Sequence, residues 1–202
     1  MHGRVDASDA ALRRVVLIVA ILNLGYFGVE FAVASAIGSV SLFADSVDFL
    51  EDASVNLLIF FALSWSLATR ARVGMVLAGM LLVPGLAVLW SLWGKFTSPL
   101  PPEPFVLSLT GGGALVVNLS CAFMLARFRA HGGSLARAAF LSARNDALAN
   151  VAIVLAGLVT AFLWRTVWPD VIVGLAIAAL NIDAAREIWD AARGEQVGRK
   201  VP

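Results

Sequence analysis

Six apolar segments fill most of this 202-residue chain, and each is long enough to cross the hydrocarbon core of a bilayer as a helix. Hydrophobic residues make up 60% and charged residues 14%, whereas soluble domains average about 45–50% apolar and about 25% charged residues. We therefore predict an all-α, polytopic membrane protein with six transmembrane helices. The predicted spans are residues 15–35, 41–69, 73–93, 105–127, 138–164 and 168–186.

The basic residues lie mainly on one side of these predicted spans. The connectors and ends on that side carry Arg13, Arg14, Arg70, Arg72, Arg127, Arg129, Arg137, Arg186, Arg193, Arg199 and Lys200. The opposite connectors carry only Lys95 and Arg165. By the positive-inside rule, both termini are predicted to be cytoplasmic. The expected organisation is a cytoplasmic segment (1–14), a six-helix membrane domain (15–190) and a short cytoplasmic tail (191–202), in the inner (plasma) membrane of a bacterium.

The second apolar segment contains three aspartates, Asp45, Asp48 and Asp52. Successive helical residues advance by about 100°, so these side chains fall within about 60° of one another. A charged side chain costs about 2.5–3.5 kcal/mol or more at the membrane midplane, so it normally faces a cavity, a partner or an ion path. The stripe is therefore the first candidate for function.

The fifth apolar segment mirrors the second, because it also has polar residues along one side. They are Ser142, Asn145, Asp146 and Asn150. The two helices run in opposite directions, which places Asp48 and Asp52 about 10–17 Å into the membrane and Asp146 about 12 Å in from the other face. Facing carboxylates at one depth predict an oxygen-rich cation site.

The first apolar segment carries Asn23, Tyr26 and Glu30 on one side. Glu30 lies toward the outer end, where we expect it to form an outer vestibule with Asp45. Asn23 and Tyr26 fit equally well as residues that hydrogen-bond between helices. A purely structural alternative for the acids is pairing with a basic residue such as Arg144.

Several other functions find no support in the sequence. No Gly-rich phosphate-binding loop precedes a basic residue, which argues against an ATP-driven pump. His2 and His131 lie in polar segments, and Cys121 has no histidine near it in sequence. No run of basic residues suggests a nucleic-acid partner. We therefore expect neither enzymatic activity nor a cofactor.

The polar motifs resemble those of the cation diffusion facilitator family of divalent-metal transporters. They are Asn23, Tyr26 and Glu30, then residues 38–52 (GSVSLFADSVDFLED), residues 138–146 (AAFLSARND), and Trp168-Pro169-Asp170 followed by Gly174. The most specific part is the Gly-Ser pair followed by an acid and then two ligand positions four residues apart. Family membership implies a secondary transporter that forms a homodimer. Because the family's common cytoplasmic domain is missing, we expect a membrane-only member.

The resemblance also implies that Asp48, Asp52, Ser142 and Asp146 bind one metal ion tetrahedrally. Ser142 departs from the family pattern, which usually has His or Asp at this position. A hydroxyl is a weak metal ligand, so water or Asn145 is expected to complete the shell. An all-oxygen site favours harder ions such as Mn²⁺, Fe²⁺ or Co²⁺ over Zn²⁺.

The activity implied by the resemblance is efflux of a divalent metal from the cytosol in exchange for protons. Carboxyl groups in a low-dielectric site tend to hold protons when no metal is bound, and a divalent cation displaces those protons. Two alternatives remain open at this stage. One is a membrane metal-binding or assembly protein without transport, and the other is an organic-cation transporter that uses the acids as counter-charges.

Overall fold

The computed structural model describes residues 2–62, 86, 88–97, 99–128 and 133–180, and within these ranges all regular secondary structure is helical. The helices are α1 (His2–Ile37), α2 (Val40–Ala62), α3 (88–97), α4 (Pro104–Ala126), α5 (Gly133–Phe162) and α6 (Trp168–Leu180). The prediction of an all-α fold is confirmed. The end of the second predicted span, most of the third, the end of the sixth and the predicted tail lie outside the described residues.

Three of the described helices are long and apolar enough to cross a membrane, namely Ala10–Ile37, Pro104–Ala126 and Ala139–Phe162. The described part of α2 carries four acids, and the described part of α6, Trp168–Leu180, spans fewer residues than these three helices. The α1 helix begins at His2, so most of the predicted N-terminal segment continues the first helix. These helices support an integral membrane protein.

Helices α1, α2, α5 and α4 surround a shared interior, because α1 packs against α2 and α4, and α5 packs against α4 and α2. Large apolar side chains point outward, with Leu109 79% and Phe123 84% exposed. Polar side chains such as Asn23, Asn118 and Asn150 are buried instead. Apolar residues outside and polar residues inside suit a bundle surrounded by lipid, since intramembrane polar groups normally face the bundle interior.

The tight turn between α1 and α2 explains the Gly-Ser pair of the sequence motif. Gly38 has a positive φ of 64°, and the Ser39 N–H donates to the Ala34 carbonyl at 3.2 Å, which closes α1 as a C-terminal glycine commonly does. The Ser39 hydroxyl then accepts a hydrogen bond from the Leu42 N–H at 3.1 Å. This N-cap starts α2 and makes the two helices antiparallel neighbours.

The start of α6 is bound to the start of α2. Asp170 accepts hydrogen bonds from the Ser39 hydroxyl (2.6 Å) and from the Val40 N–H (2.8 Å). It also accepts two from Ser41, described below. Gly174 lies one turn further along α6, where an added Cβ would lie 2.7 Å from the Val40 carbonyl carbon. The close approach requires glycine at this position. The contact fixes the position of α2 along the bundle axis.

Two apolar clusters enclose the polar interior. One contains Val16, Ile59, Leu125 and Ala143. The other contains Ala34, Leu42, Leu107, Ile153 and Val171. The buried acids and asparagines of α1, α2, α4 and α5 lie between these positions along each helix, so the candidate site occupies a middle layer of the bundle.

Candidate metal centre

Two of the predicted ligands meet directly between α2 and α5. The Ser142 hydroxyl donates a hydrogen bond of 2.8 Å to Asp52 Oδ1. Asp146 follows Ser142 by one helical turn, so both side chains project from the same face of α5. The Asp146 carboxyl group lies within hydrogen-bonding reach of Asp52 and of Ser142. We call Asp52, Ser142 and Asp146 the α2–α5 cluster.

Asp48 lies one turn before Asp52 and completes the set of predicted acids. Asp146 is a charged neighbour of Asp48, and α2 packs against α5, so the two carboxyl groups face the same space between these helices. Asp48 is only 8% exposed and Asp52 only 5%. Asp146 Oδ2 is buried and has no hydrogen-bond partner among the described residues. The cluster is therefore rich in negative oxygen and poor in donors.

Carboxylates alone do not complete a metal site here. Within the described ranges, no three His, Cys, Asp or Glu side chains are arranged closely enough to hold a metal ion. A metal bound beside Asp52 and Asp146 must therefore draw on other oxygen donors, such as hydroxyls, amides or water, or on a movement of Asp48. The hydroxyl of Ser142 already occupies such a position.

Asn145, the other residue expected to complete the shell, does not join the cluster. Its side chain is exposed, and its Oδ1 accepts a hydrogen bond from Arg144 Nη2 at 3.2 Å. Asn145 follows Ser142 by three residues and precedes Asp146 by one, so it is rotated about 60–100° away from them. Because Arg144 donates this bond to Asn145, the structure does not support the alternative in which Arg144 pairs with Asp146.

Glu30 and Asp45 meet across α1 and α2. The rings of Tyr26 and Phe49 lie 5.1 Å apart and those of Phe31 and Phe43 lie 5.5 Å apart, which defines the antiparallel register of these helices. At the matching level, the carboxyl groups of Glu30 and Asp45 face each other across the two helices. Neither Glu30 oxygen has a hydrogen-bond partner among the described residues.

The outer-vestibule role of Glu30 and Asp45 stays a prediction. Both carboxyl groups are fully buried in this structure. The reason is the packing of α5 and α4 over them. Asn150 Nδ2 donates to Asp45 Oδ2, and Asn118 Nδ2 donates to Asn150 Oδ1 at 2.9 Å. Ionised carboxylates only accept hydrogen bonds, so Glu30 and Asp45 can bond to each other only when one carries a proton.

Two of these polar residues had no predicted role. Asn118 stands out only as a buried amide in the otherwise apolar Pro104–Ala126 helix, and an intramembrane amide is itself a signal of interhelical bonding. Asp170 belongs to a recognised motif, but nothing in the spacing of Trp168-Pro169-Asp170 indicates that its partner is the start of α2.

A comparison with known protein families identifies the family of the chain. The chain matches the model of the cation efflux transmembrane domain over residues 16–193, which is most of its length and includes every residue of the α2–α5 cluster. No curated protein gives a significant match. With its helical bundle, its apolar exterior and its buried acids, this chain belongs to the cation efflux, or cation diffusion facilitator, family of membrane transporters.

Proposed function

We propose that this protein exports a divalent metal cation from the cytosol in exchange for protons, and that Asp48, Asp52, Ser142 and Asp146 bind the transported ion. The observation that carries the proposal is the 2.8 Å hydrogen bond from Ser142 to Asp52. It joins α2 to α5 where Asp146 also meets Asp52, so donors from both helices converge on one point.

Buried carboxylates provide the coupling between metal and protons. Several negative charges in a site of low polarity are strongly disfavoured unless cations neutralise them. When no metal is present, protons supply that charge. When a divalent metal forms bonds to the carboxylate oxygens, the O–H bonds break and the protons leave to water. If the site then opens to the other side of the membrane, protons replace the metal and the cycle repeats.

The ligands favour a hard cation. The four proposed donors are all oxygen atoms, and carboxylate, hydroxyl and water oxygens suit Mn²⁺, Fe²⁺ or Co²⁺ better than a mixed nitrogen and sulfur site would. Zn²⁺ remains a substrate in this proposal, but with weaker selectivity than a histidine ligand would give. The ordering among these metals is the part of the proposal most directly open to measurement.

The same proposal includes the membrane arrangement. We place six spans in the inner membrane of a bacterium with both termini cytoplasmic, because the arginines and lysines alternate by side along the sequence. We also propose a homodimer, as expected from the family. Cysteine-accessibility labelling of single-cysteine variants at each connector tests the orientation, and chemical cross-linking in membranes tests the dimer.

The decisive experiment is a flux assay in proteoliposomes that contain a pH-sensitive dye. Adding Mn²⁺ outside should drive metal uptake together with proton exit, and an imposed proton gradient should drive Mn²⁺ uphill. The Asp52→Asn variant serves as the matched control, since it keeps size but removes a negative ligand. Metal uptake without proton movement contradicts antiport. Tight metal binding without flux supports a membrane metal-binding protein. Flux of an organic cation alone supports an organic-cation transporter.

A further inference from the structure

We infer that Asn23 of α1 is an additional ligand, which supplies its side-chain amide oxygen to the metal held by the α2–α5 cluster. This inference rests on the proposed function and adds a third helix to the site. Neither the spacing of the acids nor the match to the family assigns a role to Asn23.

The register of α1 and α2 places Asn23 at the level of Asp52. The Tyr26 ring contacts the Phe49 ring in a tilted arrangement, and the helices are antiparallel. Three residues back along α1 therefore correspond to three residues forward along α2. Asn23 precedes Tyr26 by three residues and Asp52 follows Phe49 by three. The two residues therefore lie at the same depth.

The pair formed by Glu30 and Asp45 shows that these faces meet. Asn23 is seven residues before Glu30, and Asp52 is seven residues after Asp45. Seven residues are close to two helical turns, or about 10 Å along the axis. Asn23 therefore lies on the same face of α1 as Glu30, and Asp52 lies on the same face of α2 as Asp45. Since Glu30 and Asp45 face each other in the register set by the ring contacts, Asn23 projects from α1 toward the part of α2 that carries Asp52.

The amide of Asn23 has no internal partner within the described part of the chain. The side chain is fully buried, and neither Nδ2 nor Oδ1 makes a hydrogen bond. Amides inside membrane bundles normally bond to a neighbouring helix, as Asn118 and Asn150 do here. A buried amide without a partner destabilises the protein, so its presence at the level of Asp52 indicates a group that is satisfied only when a ligand is bound.

The chemistry of the cluster matches this role. Serine replaces a strong ligand at position 142, and no three described His, Cys, Asp or Glu residues complete a site. An amide carbonyl is a hard, neutral oxygen ligand. It adds a donor without adding negative charge to a layer that already holds Asp48, Asp52 and Asp146. It therefore strengthens the preference for Mn²⁺ over Zn²⁺.

The test compares Mn²⁺ binding with the stability of the metal-free protein, using the full chain purified in detergent. In Asn23→Leu, Mn²⁺ affinity measured by calorimetry should fall by about tenfold or more, while the melting temperature without metal stays the same or rises. Asn118→Leu is the matched control for loss of a buried amide. It leaves Asn150 Oδ1 without its donor, so its melting temperature should fall.

Asn23→Asp gives a second readout that does not depend on truncation. Its carboxylate should tighten Mn²⁺ binding and change the visible absorption spectrum of bound Co²⁺, because a side chain bound directly to the metal alters the d–d bands. Unchanged Mn²⁺ affinity in both Asn23 variants, with binding lost in Asp52→Ala, overturns the role of Asn23 and leaves the proposed site intact. If the unmodified protein binds neither Mn²⁺, Co²⁺ nor Zn²⁺, both proposals fail together.

Discussion

Asp170 Oδ1 accepts hydrogen bonds from both the hydroxyl and the backbone N–H of Ser41, at 2.6 and 3.1 Å, although 129 positions separate the two residues. Ser41 lies in the first turn of α2, where backbone N–H groups have no partner within the helix. A carboxylate at a helix N-terminus satisfies these groups and interacts favourably with the helix dipole. Through this contact, α6 fixes the position of α2 along the bundle axis and therefore the depth of its acids.

Replacing Asp170 should therefore destabilise the whole bundle. Asp170→Ala removes an acceptor that serves Ser39, Val40 and Ser41, and each hydrogen bond to a charged group contributes about 1.5–3 kcal/mol. Because these bonds share one carboxylate, we expect a total loss of about 3–5 kcal/mol, visible as a lower melting temperature in detergent. The melting temperature of Asp170→Asn should lie between those of Asp170→Ala and the unmodified protein. Equal stability of Asp170→Ala and the unmodified protein would show that the contact has no energetic role.

Asp52→Ala and Asp146→Ala should each abolish metal transport while leaving the protein folded in the membrane. Each substitution removes one anionic ligand from a site that has few. Transport is measured as Mn²⁺ flux, and folding as a symmetric peak in size-exclusion chromatography. Flux at the unmodified level in both variants would refute the assignment of these ligands.

Asp45→Asn should impair transport less than Asp52→Ala. An asparagine at position 45 can still accept the hydrogen bond from Asn150 through its carbonyl oxygen, and its amide can donate to Glu30 without a shared proton. The expected result is partial flux with an equal or higher melting temperature. Complete loss of flux, with the protein folded, would move Asp45 into the primary site.

Ser142→His should shift selectivity toward zinc. Ser142 already contacts Asp52, so an imidazole placed there is directed at the same point, and its nitrogen is a good ligand for tetrahedral Zn²⁺. The measurement is competitive flux of Zn²⁺ against Mn²⁺ in both proteins. Ser142→Ala is the control, since it removes the hydroxyl without adding a ligand. A histidine variant that transports with an unchanged ratio would show that position 142 does not face the metal.

The helical class and the polar faces of individual helices could be predicted from the sequence alone. Because a helix repeats every 3.6 residues, the positions of Asp45, Asp48 and Asp52 were enough to place them on one stripe. The opposite directions of the second and fifth segments were enough to predict that Asp52 and Asp146 share a depth. These features depend only on residues within one helix or on the alternation of spans.

Which polar groups are partners depended on how the helices pack. The packing placed Asp45 opposite Glu30 and against Asn150 in a closed interior, and it left Asn23 buried with no partner among the described residues. It also joined Asp170 to the start of α2. The periodicity of one helix shows which side chains share a face. The neighbour that this face meets depends on how each helix is rotated and shifted, and that is set by the packing of all the others.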